Sequence, residues 1–273
     1  MEVEFVKTSP TQNMTILVKS FVGRAAQLEA ANLLMSYESV YAEQVGFIER
    51  PENPSAWARL QMAGGEFCAN AAMSLAAYLA RRKRGALAVP LEVSGTDGLL
   101  ECSVRAKDEN IYLASLTLPP PEEIAPMTLP VGGADRTLFA VRLPGITHII
   151  VPAGEFGEDW RAAAEGLAGK WASRIDSPAF GIVFFDEKTC RMDPLVCVKD
   201  SGSAVWERGC GSGSAAVAAY RAYTSGHGLA EDISQPGGVI TAEAGYFSDS
   251  GGSVAGLRVT GTVKIAAEGV AYI

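Results

Sequence analysis

Gly64-Gly65-Glu66-Phe67-Cys68-Ala69-Asn70 runs into Ala71-Ala72-Met73-Ser74-Leu75-Ala76-Ala77-Tyr78, and Arg208-Gly209-Cys210-Gly211-Ser212-Gly213 runs into Ser214-Ala215-Ala216-Val217-Ala218-Ala219-Tyr220. The two stretches share one design: a Gly-bearing turn, a cysteine, then small residues that open an alanine-rich helix. A cysteine at such a point lies in the field of free backbone N–H groups, which favours a thiolate and also a bound anion. Free cysteine titrates at about 8.5, so one thiolate and one thiol form an attainable pair near neutral pH.

The segments around these stretches repeat in the same order. Val3-Glu4-Phe5-Val6-Lys7 and Met14-Thr15-Ile16-Leu17-Val18 read as strands, and Gln27–Leu34 reads as a helix. Strands at Gln44–Glu49 and Trp57–Met62 lead to the first cysteine turn, and further strands follow at Leu91–Val93, Leu99–Val104 and Ile111–Thr117. The Pro-rich stretch Leu118–Pro126 reads as a linker. After it Thr147–Val151 answers Thr15–Val18, Trp160–Ser173 reads as a helix, Gly181–Asp186 answers Gly46–Glu49, and Pro194–Val198 answers Trp57–Met62. Internal duplication is the economical explanation. The expected fold class is α/β, with two pseudo-symmetric domains, each a curled, mostly antiparallel sheet around a central helix. The halves are residues 1–127 plus 263–273, carrying Cys68, and 128–262, carrying Cys210. Pseudo-twofold symmetry would bring both cysteine-bearing helix ends to a shared interdomain cleft, where one thiol could accept a proton and the other donate one.

The chain of 273 residues, 48% hydrophobic and 20% charged, has the balance of a globular protein, and its net charge of −8 argues against binding a phosphate backbone. No nucleic-acid partner is expected. Arg81-Arg82-Lys83-Arg84, after the first alanine-rich helix, reads as favourable charge on a helix C-terminus. No signal peptide or bilayer-length apolar run is visible, so a cytoplasmic location and no membrane partner are expected. The five cysteines are odd in number and form no C-x-x-C pair, which supports neither a disulfide framework nor a zinc ribbon. Cys102 and Cys197 lie in strand patterns and read as core thiols, and Cys190 reads as a surface residue in a turn. Only Cys68 and Cys210 stand at helix openings. No segment argues for a pyridoxal site, and neither a cofactor nor a metal is expected.

Asn13-Met14-Thr15-Ile16-Leu17-Val18, Glu43-Gln44-Val45-Gly46-Phe47-Ile48-Glu49, Glu66–Ala71, Trp206-Glu207 before Cys210-Gly211-Ser212-Gly213, and Gln235-Pro236-Gly237-Gly238 together resemble the cofactor-independent two-cysteine racemases and epimerases of the diaminopimelate epimerase superfamily. The resemblance runs through both halves, and within that superfamily it is nearest to the histidine racemases of staphylopine-type metallophore pathways. It implies a two-base reaction on a small amino acid, with Cys68 and Cys210 as the catalytic pair. It also implies a substrate site of Asn13, Glu43, Gln44, Ala69, Asn70, Glu207, Gly211 and Ser212. The backbone N–H groups of Ala69, Asn70, Gly211 and Ser212 would hold the substrate carboxylate, Glu207 would lie near its amine, and Glu43 would read an imidazole N–H. Ala69 replaces a glycine usual in the family and leaves the backbone donor intact. A homodimer is compatible with this reading.

Diaminopimelate epimerase itself fits less well. Its long loop before the second cysteine is missing, since Glu207-Arg208-Gly209 joins directly to Cys210. Ile146 and Phe180/Gly181 stand where its paired asparagines would be. A zwitterionic distal group would then be left unmatched, at a cost of several kcal/mol. His148 is expected to support structure beside the site, and His227 to be a loop residue. The competing readings are epimerisation of diaminopimelate or racemisation of another amino acid, a phenazine-type isomerase, and a non-catalytic amino-acid- or metal-binding module. Both thiols argue against the phenazine type, and two thiolates without a nearby histidine make a poor zinc site.

Overall fold

A computed structural model describes residues 1–81, 87–154, 160–200, 202–248 and 252–273. The expected charge cluster therefore lies outside the described residues, except for Arg81. The architecture is α/β, with many strands and few helices. The chain divides into two compact units, Met1–Thr117 with Thr260–Ile273, and Leu118–Val259. Among the described residues no helix is long and apolar enough to cross a membrane.

The first unit contains β1 (Glu2–Pro10), β2 (Thr15–Val18), α1 (Arg24–Met35), β3 (Gln44–Glu49), β4 (Ala58–Met62), α2 (Ala69–Ala80), β5 (Leu87–Val93), β6 (Leu100–Asp108) and β7 (Ile111–Thr117). Its last strand is the C-terminal part of β16 (Ser253–Tyr272), which pairs antiparallel along β1 from Pro10↔Val263 to Glu2↔Tyr272. The order β1-β2-β3-β4-β5-β6-β7-β16 closes on itself through that pairing. Parallel neighbours need a crossover, and helices supply it: α1 joins β2 to β3, and α2 joins β4 to β5. α2 touches all seven of the strands β1 to β7. Ten of its residues are buried, six of them alanine, so it runs inside the ring with almost no solvent face. Alanine is the best helix former, and its small side chain lets the strands close around the helix. α1 packs on β3, and its buried residues Ala30, Ala31 and Leu34 join the cluster of Ile16, Val18, Val45 and Phe47.

The second unit contains β8 (Glu123–Val131), β9 (Ala134–Leu143), β10 (Ile146–Pro152), α3 (Trp160–Trp171), β11 (Ala179–Asp186), β12 (Arg191–Val198), β13 (Ser203–Trp206), α4 (Gly211–Ser225), β14 (Leu229–Gln235) and β15 (Gly238–Phe247). Its strands run in the order β16-β15-β14-β12-β11-β10-β9-β8, with β13 on β12. α4 is the second alanine-rich helix, buried from Gly211 to Ala219 and ended by left-handed Gly226. α3 seats Leu167 and Trp171 in a cluster with Ile149, Ile182 and Phe184. With helices on both faces, β11 is buried along nearly its whole length and reads as a continuous apolar run. β8 begins inside the Pro-rich stretch expected to be a linker and pairs with β9 along its length, from Glu123↔Arg142 to Val131↔Ala134. The expected division at residue 127 thus falls within a strand.

The turn before Cys68 is clamped from β5. Ser94 Oγ accepts the Met62 N–H at 2.9 Å and donates to the Glu66 carbonyl at 2.9 Å. Gly95 follows with φ +77°, and a Cβ there would lie 2.3 Å from the Phe67 nitrogen. Gly95→Ala is expected to destabilise the protein by about 3 kcal/mol, combining left-handed strain with a backbone clash. Urea unfolding at equilibrium measures this, and an unchanged midpoint would contradict it.

Candidate active site

Cys68 is the N-cap of α2. Its backbone is extended (φ −134°, ψ 107°), and its sulfur accepts the Ala71 N–H at 3.4 Å. Ser, Thr, Asp or Asn usually hold this position, and sulfur is a weaker acceptor than their oxygens. The half-buried thiol donates to Gln44 Oε1 at 3.0 Å. Gln44 opens β3, and its amide is fixed because Nε2 donates to Asn13 Oδ1 at 2.9 Å and to Thr15 Oγ1 at 2.8 Å. Asn13 is fully buried and follows a tight turn in which Thr11 and Gln12 both have positive φ, 45° and 62°. Left-handed backbone at a β-branched residue costs on the order of 1–3 kcal/mol. Two hydrogen bonds hold the turn, Asn13 N–H to Pro10 O at 2.9 Å and Thr11 N–H to Thr262 O at 2.8 Å.

Cys210 caps α4 in the same way (φ −119°, ψ 110°), with the Gly213 N–H 3.3 Å from its sulfur. Its setting is more enclosed, at 2% exposure. Gln235, at the end of β14, accepts the Cys210 N–H at 2.6 Å and donates to Ser214 Oγ at 2.9 Å, which in turn donates to the Cys210 carbonyl at 2.7 Å. A Cβ at Gly213 would come within 3.2 Å of both Cys210 Sγ and Met192 Cε, so the helix start is tight around the thiol.

Ser212 Oγ lies 3.6 Å from Cys210 Sγ and 3.0 Å from Nε2 of His148 on β10. The imidazole is wholly buried over Gly181, and its Nδ1 has no hydrogen-bond partner. The Nε2–H tautomer leaves only a lone pair unmatched and lets the Ser212 hydroxyl turn its proton to the thiol. Burial pushes the His148 pKa down to about 3, so the ring is neutral.

Opposing effects meet at Cys210. Burial, followed by the charge and hydrogen bond of Glu207, raises the thiol well above its ordinary range, while the Ser212 and Gly213 donors pull it down. Desolvation dominates, and Cys210 is held as the thiol.

Of the sequence-derived residues, Asn13, Gln44 and Cys68 come together in the first unit, and Glu207, Cys210 and Ser212 in the second. Ala69, Asn70 and Gly211 are buried in the first turns of their helices. Glu43 precedes β3, donates its N–H to Met14 O at 2.8 Å and keeps Oε2 buried. The N–H groups that meet the sulfurs are those of Ala71 and Gly213, three residues after each cysteine, and the N-cap rule could have found them. Glu207 lies on the Cys210 thiol. Thr15, His148 and Gln235 are added as direct partners of site residues. Cys190 is more than a surface position: it is half-buried at φ +52°, with its thiol 3.5 Å from Glu231 Oε2. Cys102 and Cys197 are buried, with pKa values raised to about 12 and about 11 by desolvation. Among the described residues no group of three or more His, Cys, Asp or Glu could hold a metal ion.

The fold is that of known racemases and epimerases. A hydroxyproline epimerase from Agrobacterium vitis superposes with a TM-score of 0.76 at 13% identity, over 98% of this chain and 92% of that one. A Bacillus anthracis phenazine biosynthesis protein of the PhzF family superposes at 0.65 and 12% identity over both full chains. In sequence, the chain is 31% identical to a histidine racemase of Fusobacterium nucleatum subsp. nucleatum, over 99% of this chain and 97% of that protein. It is 28% identical to a histidine racemase of Staphylococcus aureus, over 99% and 98% respectively. The protein is an isomerase of the racemase class. The family model described as "Histidine racemase CntK N-terminal domain" matches residues 2–272, and the chain belongs to the histidine racemase family.

Two outcomes follow from the site. His148 binds its proton far less readily folded, at about 3, than at its ordinary value of 6.5. Its contribution to stability is complete above pH 6.5 and is lost as pH falls toward 3. Melting temperature between pH 7 and 4 should therefore fall more steeply for the native protein than for His148→Asn, and parallel curves would refute this. Limited iodoacetamide treatment with peptide mapping should label Cys68 before Cys210, because Cys210 is enclosed and held protonated. The reverse order would overturn the assignment of the two settings.

Proposed function

We propose that the protein interconverts L- and D-histidine without a cofactor, Cys68 and Cys210 exchanging the Cα proton from opposite faces. The observation that carries the reading is the family match over nearly the whole chain, joined to two thiols that each cap a buried helix. The Cα–H of an amino acid is a weak acid, so the reaction needs a base on one face, an acid on the other, and N–H dipoles where carboxylate charge develops. A thiolate takes the proton and becomes a thiol, and the opposite thiol gives its proton to the carbanion and becomes a thiolate. Cys210, held as a thiol by burial and Glu207, is the donor at rest, and Cys68 becomes the acceptor once the proton it shares with Gln44 Oε1 has left.

Buried apolar Ile146, and Gly181 beneath the His148 ring, support histidine over a zwitterionic side chain. The Glu43 carboxylate is the group in this reading that accepts the imidazole N–H. Use of D-histidine in an opine-type metallophore rests on the family resemblance alone.

Incubation with L- or D-histidine in deuterated water, followed by chiral analysis, tests the reaction. Both enantiomers should form with deuterium at Cα, and Cys68→Ser or Cys210→Ser should each lower turnover by roughly 10²–10⁴-fold. Full activity in either variant would rule out the two-base mechanism. Turnover of meso-diaminopimelate with histidine ignored would overturn the substrate and leave the mechanism standing.

A further inference from the structure

Trp206 belongs to a sequence motif that the reaction does not use, and the structure gives its ring an unusually complete set of partners. It is the last residue of β13, opposite Leu195 on β12. Its indole N–H donates to Glu165 Oε1 of α3 at 2.7 Å. The guanidinium of Arg161, also on α3, lies 4.8 Å from the Trp206 ring centroid and 4.9 Å from that of Trp160. Trp160 meets Trp206 edge-on, with centroids 5.1 Å apart and planes at 90°. Arg161 is tied down in turn by Asp193 at 3.3 Å, which also pairs with Arg191 at 3.4 Å. The Trp206 edge, face and polar handle are thus all held by one helix.

Successive side chains of a strand point to opposite faces. Fixing Trp206 against α3 therefore fixes the opposite direction for Glu207, whose N–H continues the ladder to Pro194 O at 3.0 Å. The segment is pinned again by the Gly237 N–H to Arg208 O at 2.6 Å and by Gln235 on the Cys210 N–H. We infer that Trp206, clamped by Arg161 and Glu165 of α3, is a positioning residue that sets the Glu207 carboxylate against the Cys210 thiol. This inference rests on the proposed roles of Cys210 and Glu207. Among the described residues, Glu207 and, through Ser212, His148 are titratable groups that face Cys210.

The test compares Trp206→Leu, Arg161→Ala, Glu207→Gln and the double variant Trp206→Leu/Glu207→Gln in histidine racemisation, with kcat, KM and pH profile for each. Displacing Glu207 by about an ångström should lower kcat by roughly 10–100-fold with little change in KM. The high-pH limb should also move to lower pH, because Glu207 raises the Cys210 pKa. The double variant should lose no more than Glu207→Gln alone. Multiplying losses, or a fallen rate with an unmoved limb, would overturn the clamp. If Glu207→Gln moves the limb while Trp206→Leu and Arg161→Ala do not, only the clamp fails. If Glu207→Gln leaves rate and limb intact, the reading of Glu207 fails first. Should Trp206→Leu lose its far-UV circular dichroism, the half-exposed Arg161→Ala carries the same comparison.

Discussion

The structure depends on helices that have almost no solvent face. In α2, residues Ala69 to Ala77 are buried without a break, and strands β1 to β7 all touch the helix. A helix so enclosed must be made of small residues, and the first N–H groups of its backbone cannot all turn to bulk water. Something at the N-cap must meet them. Cysteine is a poor cap by the measure of stability, since its sulfur accepts only weakly. What it adds is chemistry, because it brings a thiol to the positive end of the helix dipole. The same constraint recurs at α4, buried from Gly211 to Ala219, with Gly213 as the residue whose missing Cβ leaves room for the sulfur.

Legibility of the chain followed the range of the interactions. Local patterns were readable: β3 and β7 begin and end where their apolar runs do, and the two cysteine turns announce their helices. β8 is hidden in the sequence because its first residues lie in the Pro-rich stretch Leu118–Pro126, which reads as a linker. Proline is tolerated on an edge strand, and β8 is the last strand in the order. In the site, residue types were legible and pairings were not. Gln44 meets a cysteine 24 positions away, and His148 meets a serine 64 positions away. Such contacts depend on which strands cross beside a helix end, and a single sequence with local periodicity does not encode that in readable form. The partners of the sulfurs were within reach, because an N-cap side chain ordinarily accepts from the third residue of its helix.

The helix dipole favours a thiolate at both cysteines, worth about 0.3–1 kcal/mol at an exposed end and up to about 2 in partly buried geometry. At Cys210 that pull is present, in the Gly213 N–H and the Ser212 hydroxyl, and it loses to burial reinforced by Glu207. Enclosure decides the resting state there.

The two thiols are therefore alike in backbone and unlike in company. Cys68 is hydrogen-bonded to an amide whose orientation is locked by Asn13 and Thr15, and an amide oxygen accepts a hydrogen bond without taking up the proton at ordinary pH. Cys210 is hydrogen-bonded to a carboxylate, whose charge opposes a second negative charge on the sulfur. A racemase must return each thiol to its starting state whichever enantiomer it consumed, so a single turnover leaves a proton to be moved. In the proposed reaction a turnover leaves Cys210 as a thiolate beside the Glu207 carboxylate, a like-charge contact that favours its reprotonation, while Cys68, half-exposed, must lose its new proton to water or to the next substrate. In that proposed reaction the difference in company falls on the return of the protons, and the chemical step itself stays symmetric.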